Sequence, residues 1–221
     1  MFKRLPYRQD KISEEFLIGC KEAMKTTRPV FPVPASPIKT LRLLLRPVRQ
    51  SDLTGFHILR TQPEVMKWTS QGRPDLDEQA TQAWMNLFLP PNDAVTFNFA
   101  IEEMSKPGEV IGIMGCYIAE PPEVGYMLVK EVWGMGYATE ALEGWLHAYW
   151  QLPRKEVVIG DDVDDDTFIA ETLAADVVEE NVASARILAR YGFDAISEEM
   201  IEEHGQMIKL NHLALRRPET S

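Results

Sequence analysis

Residues Glu131 to Leu142 read Glu-Val-Trp-Gly-Met-Gly-Tyr-Ala-Thr-Glu-Ala-Leu, a strand-like run giving way to two glycines and then to an amphipathic helix. This junction constrains the fold more than any other segment, because it demands a strand, a tight turn and a helix in immediate succession. A helix start leaves backbone N–H groups without partners and carries the positive end of the helix dipole, so it attracts phosphate oxygens. Gly134 and Gly136 keep side chains clear of that mouth. Beyond them Ala138, Ala141, Leu142, Trp145, Leu146 and Tyr149 recur at helical spacing, which predicts one apolar face laid on a sheet.

Three readings of the glycine pair compete. It is compatible with a plain connection from strand to helix. A dinucleotide-binding turn needs a third small residue three positions after Gly136, where Thr139 stands, and a ribose-binding acid on a following parallel strand, which the sequence lacks. A Walker-type loop is excluded, since no Gly-Lys-Ser/Thr follows.

The third reading is a resemblance. The segment is similar to the acyl-CoA-binding motif of the GNAT N-acetyltransferase family, Q/R-x-x-G-x-G/A, with Trp133, Gly136 and Ala138 at the three marked positions and Trp133 replacing the usual Gln or Arg. The form Trp-Gly-x-Gly-Tyr-Ala-Thr-Glu-Ala resembles the branch of ribosomal-protein alanine acetyltransferases. Upstream, Glu123-Val-Gly-Tyr-Met-Leu-Val129 resembles the strand before the motif. Downstream, the run from Asn181 through Ser184 to Gly192-Phe193 resembles the family's Asn-x-x-Ser helix ending in Gly-Phe. The match covers roughly residues 39 to 215. It implies an α+β fold, the GNAT acyl-CoA N-acyltransferase fold, whose central mixed, mostly antiparallel sheet of about seven strands is flanked by helices.

The resemblance also implies a chemistry. Moving an acetyl group from a thioester to an amine requires a neutral amine, a polarised carbonyl and a proton for the departing thiolate. The strand Tyr126 to Val129 is expected to splay from its neighbour, so that Met127, Leu128 and Val129 offer backbone groups to the pantetheine arm, with an N–H near Leu128 facing the oxyanion. Trp133, Gly134, Met135, Gly136, Tyr137, Ala138 and Thr139 would hold the pyrophosphate of acetyl-CoA, chiefly through backbone N–H groups. Asn181 and Ser184 share one helix face. Asn181 would bind pantetheine or cap the helix, and Ser184 would protonate the thiolate. Many relatives place a Tyr four residues before the Gly of Gly-Phe, but Leu188 stands there, and Tyr191 reads as core packing. Glu123 and Glu203 are the candidate general bases, beside a base acting through water or none.

The expected activity is acetyl-CoA-dependent N-acetyl transfer to an unidentified primary amine, a protein N-terminus first and a small-molecule amine second. The competing class is a catalytically silent acyl-CoA-binding or protein-interaction module on the same fold, motivated by Trp133 and the unassigned base.

Composition narrows the partners. The net charge of −11 argues against nucleic-acid binding. Residues 1–60 hold 12 basic against 5 acidic residues and the remaining 161 hold 11 against 29, an imbalance that reads as solvated patches or as acidic walls favouring a cationic amine. Cys20 and Cys116 lack metal spacing and read as reduced thiols of a cytoplasmic protein. His57, His147, His204 and His212 form no metal-binding set, so no metal is expected. No secretion signal or membrane-spanning run is read, and Asp10, Glu14 and Glu15 weigh against a mitochondrial presequence.

Two units are expected, an N-terminal extension over 1–38 ending in Pro29, Pro32, Pro34 and Pro37, and the acetyltransferase domain over 39–221. Within the domain a strand is predicted at Leu41 to Leu45, helix starts at Ser51-Asp52 and after Asp75, and a hairpin from Phe97 to Ile118. Residues 151–166, with Asp161, Asp162, Asp164, Asp165 and Asp166, read as a surface loop. A calcium loop starting at Asp162 fails at Thr167 and Leu173, which stand where Gly and Glu belong. Strands at Thr172 to Val178, Ala195 to Glu203 and Gln206 to Leu215 close the domain, and edge strands near its end suit a homodimer by analogy.

Overall fold

The computed structural model describes residues 24–117, 121–159, 167–203 and 205–218. Strands β1 (Met24–Pro29), β2 (Ile38–Lys39) and β3 (Leu43–Pro47) precede helices α1 (Leu53–Arg60), α2 (Pro63–Met66) and α3 (Glu78–Met85). A hairpin of β4 (Thr96–Glu103) and β5 (Val110–Tyr117) leads to β6 (Glu123–Leu128) and α4 (Tyr137–Trp150). After them come β7 (Arg154–Ile159), β8 (Thr172–Val178), α5 (Val182–Arg190), β9 (Asp194–Glu203) and β10 (Gln206–Arg216).

Eight strands form one sheet in the order β2-β3-β4-β5-β6-β8-β10-β9. Neighbours are antiparallel except β6 and β8, which run parallel and meet in register only at Glu123 and Ala174. The short β2 brings the sheet to eight strands rather than seven. This is the mixed, mostly antiparallel α+β sheet expected from the resemblance.

The apolar face read after Gly136 is the face α4 buries: Ala141, Leu142, Trp145, Leu146 and Tyr149 are all core residues. Trp145 seats its indole N–H on the Phe97 carbonyl at 3.1 Å and packs against the Phe97 ring, which also stacks on Phe31 and meets Phe99 edge-on. Aromatic pairs at such separations add to the stabilisation from buried area. Thr96 and Ala100 of β4 are buried along with Phe97, Phe99 and Ile101, so this strand is covered on both faces rather than alternating core with solvent.

Three local readings change. The strand expected at Leu41 begins at Leu43, because Thr40 and the Arg42 N–H are drawn to Glu140 while the Leu41 side chain stays exposed. The second helix is capped by Asp77, whose carboxylate accepts the Ala80 N–H, whereas Asp75 is buried and binds Arg60. Residues 154–159, read as loop, form β7 and pair antiparallel with β1. Their charge hid the strand: Arg154 turns inward to the buried Glu171 at 2.8 Å, and that carboxylate also accepts from Thr27 of β1. Residues 24–29 of the N-terminal extension are thus paired with the domain, and Phe31 enters its core. Cys20, His204 and the acidic run 161–166, with the calcium reading, lie outside the described residues.

Candidate active site

The parting of β6 from β8 makes an opening in the middle of the sheet. In an antiparallel pair each residue directs its N–H and C=O to the same side, and successive residues alternate. The N–H of Val129 goes to Ile111 of β5 at 2.9 Å. The backbone groups of Tyr126 and Leu128 therefore face the opening and those of Val124 face Ala174 at its closed end, while those of Met127 face β5. At the closed end, the Ala174 N–H donates to the Pro122 carbonyl at 2.8 Å, and Glu123 stands at that vertex.

The other end of β6 runs into a short 3₁₀ turn, Lys130–Val132, and then the glycine turn. Gly134 and Gly136 have φ of +76° and +80°, the left-handed region that favours glycine. A Cβ built on Gly134 would meet open space, so the turn presents bare backbone there. Gly136 is the N-cap of α4 and offers no side-chain oxygen, which leaves the first N–H groups of the helix without a side-chain cap. Such a cradle suits a phosphate group.

Side chains within and outside the motif fasten this turn. The Trp133 indole N–H donates to the Leu128 carbonyl at 2.8 Å. Gln62, ahead of α2, accepts the Lys130 N–H and donates to the Glu131 carboxylate, each at 2.8 Å, and the Lys130 ammonium pairs with Glu64. Hydrogen bonding to Gln62 holds the Glu131 carboxyl below its usual range, and the Lys130 ammonium holds Glu64 there in the same way. Arg42 grips the Met135 carbonyl. Sequence reading passed over Arg42, Gln62 and Glu64, since nothing local marks residues whose partners lie 66 to 98 positions away.

Helix α5 closes the site from the β8 side. Asn181 caps it, its side-chain oxygen accepting the Ser184 N–H at 3.2 Å, which is the capping role weighed for it. The Ser184 side chain lies beside the Tyr126 hydroxyl, a buried oxygen with no well-formed hydrogen bond. Burial raises the Tyr126 pKa, and the Ser184 contact offsets part of that rise. Tyr191 packs against the core and donates its hydroxyl to the Thr139 carbonyl at 3.0 Å, tying the end of α5 to the first turn of α4.

The sequence-predicted residues are brought together unevenly. Leu128, the segment from Trp133 to Thr139, and Ser184 beside Tyr126 gather around the opening, with Asn181 one helical turn from Ser184. Met127 and Val129, also expected to offer backbone groups, instead direct them to β5 and to the turn after β6, because successive residues of the strand alternate sides. Glu123 stands at the opposite end of β6 from the glycine turn. Glu203 ends β9, two strands beyond β8, at the β9–β10 hairpin turn. Among the described residues no cluster of three His, Cys, Asp or Glu is placed to hold a metal ion, and no helix is long and apolar enough to cross a membrane.

The split sheet leads directly to a helix whose first N–H groups have no side-chain cap, the arrangement of an α+β fold built around one ligand track. The sequence profile of the Acetyltransferase (GNAT) domain matches residues 42–194, and the chain belongs to that family. The uncharacterized protein YkkB of Bacillus subtilis is 31% identical over 108 residues, a stretch covering 46% of this chain and 61% of YkkB. Among solved structures, Mycobacterium smegmatis RimJ in complex with CoA-disulfide superposes with a TM-score of 0.63 at 21% identity, over 86% of this chain and 90% of RimJ. Spermidine N-acetyltransferase from Vibrio cholerae, in complex with CoA and spermine, superposes with a TM-score of 0.62 at 17% identity, over 80% of this chain and 96% of that one.

Proposed function

We propose that this protein is an acetyl-CoA-dependent N-acetyltransferase acting on a primary amine. The observation that carries the reading is the continuity of the opening between β6 and β8 with the glycine-capped mouth of α4. It offers the Tyr126 backbone and the Leu128 N–H for an amide-bearing arm and N–H donors for a diphosphate in one track. The CoA-bound structures of RimJ and of spermidine N-acetyltransferase share this fold, which supports the same co-substrate here.

The bound thioester supplies the acetyl group: the amine nitrogen bonds to its carbonyl carbon, the C–S bond breaks, and the thiolate takes up a proton. The chain's residues divide the remaining work. Residues 133 to 139 hold the diphosphate through backbone N–H groups. Tyr126 and Leu128 orient the arm, and the Leu128 N–H faces the carbonyl oxygen where negative charge develops. Ser184 gives the proton to the thiolate. Glu123, at the vertex of the opening, takes the proton from the amine directly or through water. Glu203 is the other candidate base, at the far hairpin. Acidic residues just after β8 and along β9, Glu179, Glu180, Glu198, Glu199 and Glu202, outnumber the Lys209 ammonium that pairs with Glu179 and Glu198, an excess that favours a cationic acceptor. The acceptor is a protein N-terminal amine by the branch resemblance, with a small polyamine as the other arm of the test.

Isothermal titration with acetyl-CoA, followed by thiol release in the presence of N-terminal peptides and polyamines, tests the reading. Binding with amine-dependent thiol release is expected. Binding without release from any amine favours the silent module, and no binding overturns the enzyme.

A further inference from the structure

We propose that Arg42 is the positioning residue of the coenzyme turn, holding the Met135–Gly136 peptide in the orientation that presents its N–H to the ligand. This inference rests on the acetyl-CoA reading above. Arg42 lies between β2 and β3, on the far side of the sheet order from β8, yet most of its polar side-chain contacts run to residues 135–140. Its Nη1 donates to the Met135 carbonyl at 3.0 Å, and its Nε pairs with Glu140 Oε2 at 2.7 Å. Its Cζ sits 4.4 Å over the Tyr137 ring, and its Nη2 is 3.5 Å from the place a Cβ would take on Gly136.

The consequence follows from peptide planarity. The Met135 carbonyl and the Gly136 N–H belong to one rigid, trans peptide and point in opposite directions. Drawing the carbonyl to Arg42 therefore fixes the Gly136 N–H on the face away from Arg42. A turn between two residues of positive φ has few other restraints, since neither glycine has a side chain to lock it.

Glu140 orients the guanidinium in turn. One carboxylate oxygen accepts the Thr40 hydroxyl at 2.6 Å and the Arg42 N–H at 2.7 Å, and the other accepts Arg42 Nε. Burial alone would raise the Glu140 pKa, but these donors outweigh it and hold the carboxyl below its usual range, so the group stays ionised. That ion pair also compensates the Arg42 charge. Together with the Tyr137 ring over one guanidinium face, it argues for a structural grip on the turn rather than a direct bond to phosphate. Lysine cannot replace this geometry, because a single ammonium lacks the fork that reaches Glu140 and Met135 together.

The test compares wild type with Arg42→Gln, Arg42→Lys and Glu140→Gln. Isothermal titration is run with CoA and with 3′-dephospho-CoA, thermal melting monitors the fold, and steady-state acetylation is measured on whichever amine the screen above identifies. Both Arg42 variants are expected to weaken CoA and 3′-dephospho-CoA alike, about tenfold. The KM for acetyl-CoA should rise while kcat holds, because the lost interaction serves binding uniformly; partial unfolding would instead lower kcat. Wild-type affinity in Arg42→Lys overturns the proposal by showing that charge alone suffices. A loss confined to CoA overturns it by showing direct contact with the 3′-phosphate, and unchanged binding in Arg42→Gln overturns it outright. Should Arg42→Gln fail to fold, Arg42→Lys and Glu140→Gln decide by the same criteria. If wild type binds neither nucleotide, the coenzyme reading itself fails, and this inference with it.

Discussion

The indole N–H of Trp133 donates to the backbone carbonyl of Leu128 across 2.8 Å, closing a six-residue loop from the last residue of β6 to the start of the glycine turn. Leu128 directs its backbone groups toward the opening beside β8, so the indole takes the acceptor nearest the turn and leaves the Leu128 N–H available. Trp133→Phe keeps the ring and deletes this donor. A net hydrogen bond of this kind contributes about 0.5–1.5 kcal/mol to folding, so urea unfolding should show a loss of that order, and CoA affinity should fall by up to about 10-fold to the extent that the bond pre-forms the turn. Isothermal titration checks it; an unchanged dissociation constant would show that the bond does not shape the site.

Gly134 and Gly136 carry nearly the same backbone angle in different surroundings. For Gly134→Ala nothing lies within 4 Å of the new methyl, and the cost is the left-handed conformation alone, about 1–2 kcal/mol. Gly136→Ala incurs the same strain, and its methyl meets Arg42 Nη2 at 3.5 Å, an ordinary van der Waals contact. Urea denaturation should show similar losses for the two variants, and CoA titration should show the larger loss for Gly136→Ala, whose methyl stands at the mouth of α4.

The glycine turn, the apolar face of α4 and the order of the later strands were legible because each is written in contiguous residues: a glycine pair, a helical period, a period-2 run. What fastens the turn was not. Arg42 meets Glu140 98 positions away, and a lone arginine before a strand looks like any solvated cation. Strand β7 escaped for a related reason: Arg154-Lys155-Glu156 lacks apolar alternation, and its buried charge makes sense only beside Glu171 and β1. The second helix was read as starting after Asp75; Arg60 draws that carboxylate into the core, and Asp77 caps the helix instead. For Asn181 the sequence offered capping and coenzyme binding; the cap is present, and its remaining amide donors leave the second role compatible with the first.

Glu171 is a buried carboxylate shared by Arg154 and Thr27, with Arg217 near its edge. Glu171→Gln would leave the Arg154 guanidinium, itself buried, without its counter-charge. Breaking such a pair from one side costs about 3–5 kcal/mol. Urea unfolding should show a loss of that order, and amide exchange in β1 should accelerate, because Thr27 loses its charged acceptor as well.

Tyr149 presents the opposite case. Its hydroxyl is buried with no hydrogen-bond partner among the described residues, and burial drives its pKa far up, so it stays neutral at any working pH. Its ring stacks on Trp145 at 4.8 Å. Tyr149→Phe keeps the stacking and removes the unsatisfied oxygen, whose burial costs about 1–3 kcal/mol. The variant should therefore be as stable as wild type or more so in thermal melts; a clear loss of stability would reveal a partner for that hydroxyl.

Asp75 sets a pH dependence whose sign can be worked through. Burial pushes its pKa up, but hydrogen bonds from Arg60, Gln71 and Thr81, with the Arg60 charge, outweigh it and hold the carboxyl below its usual value. A carboxyl depressed in the folded state binds fewer protons there than in the unfolded chain, so folding stability rises with pH across the interval between the two values. The contribution is fully present above the unfolded value, roughly pH 3.9, and is lost as pH falls through the folded one. Glu64, Glu131 and Glu140 are depressed as well, so the acid slope is shared among these groups. Asp75→Asn should lower stability at pH 7, because it leaves the buried Arg60 without its counter-charge, and should flatten the decline below about pH 4 without abolishing it. Urea titrations at pH 7, 5, 4 and 3 measure both effects, and a variant with the wild-type slope would mean that Asp75 titrates alike in the folded and unfolded chain.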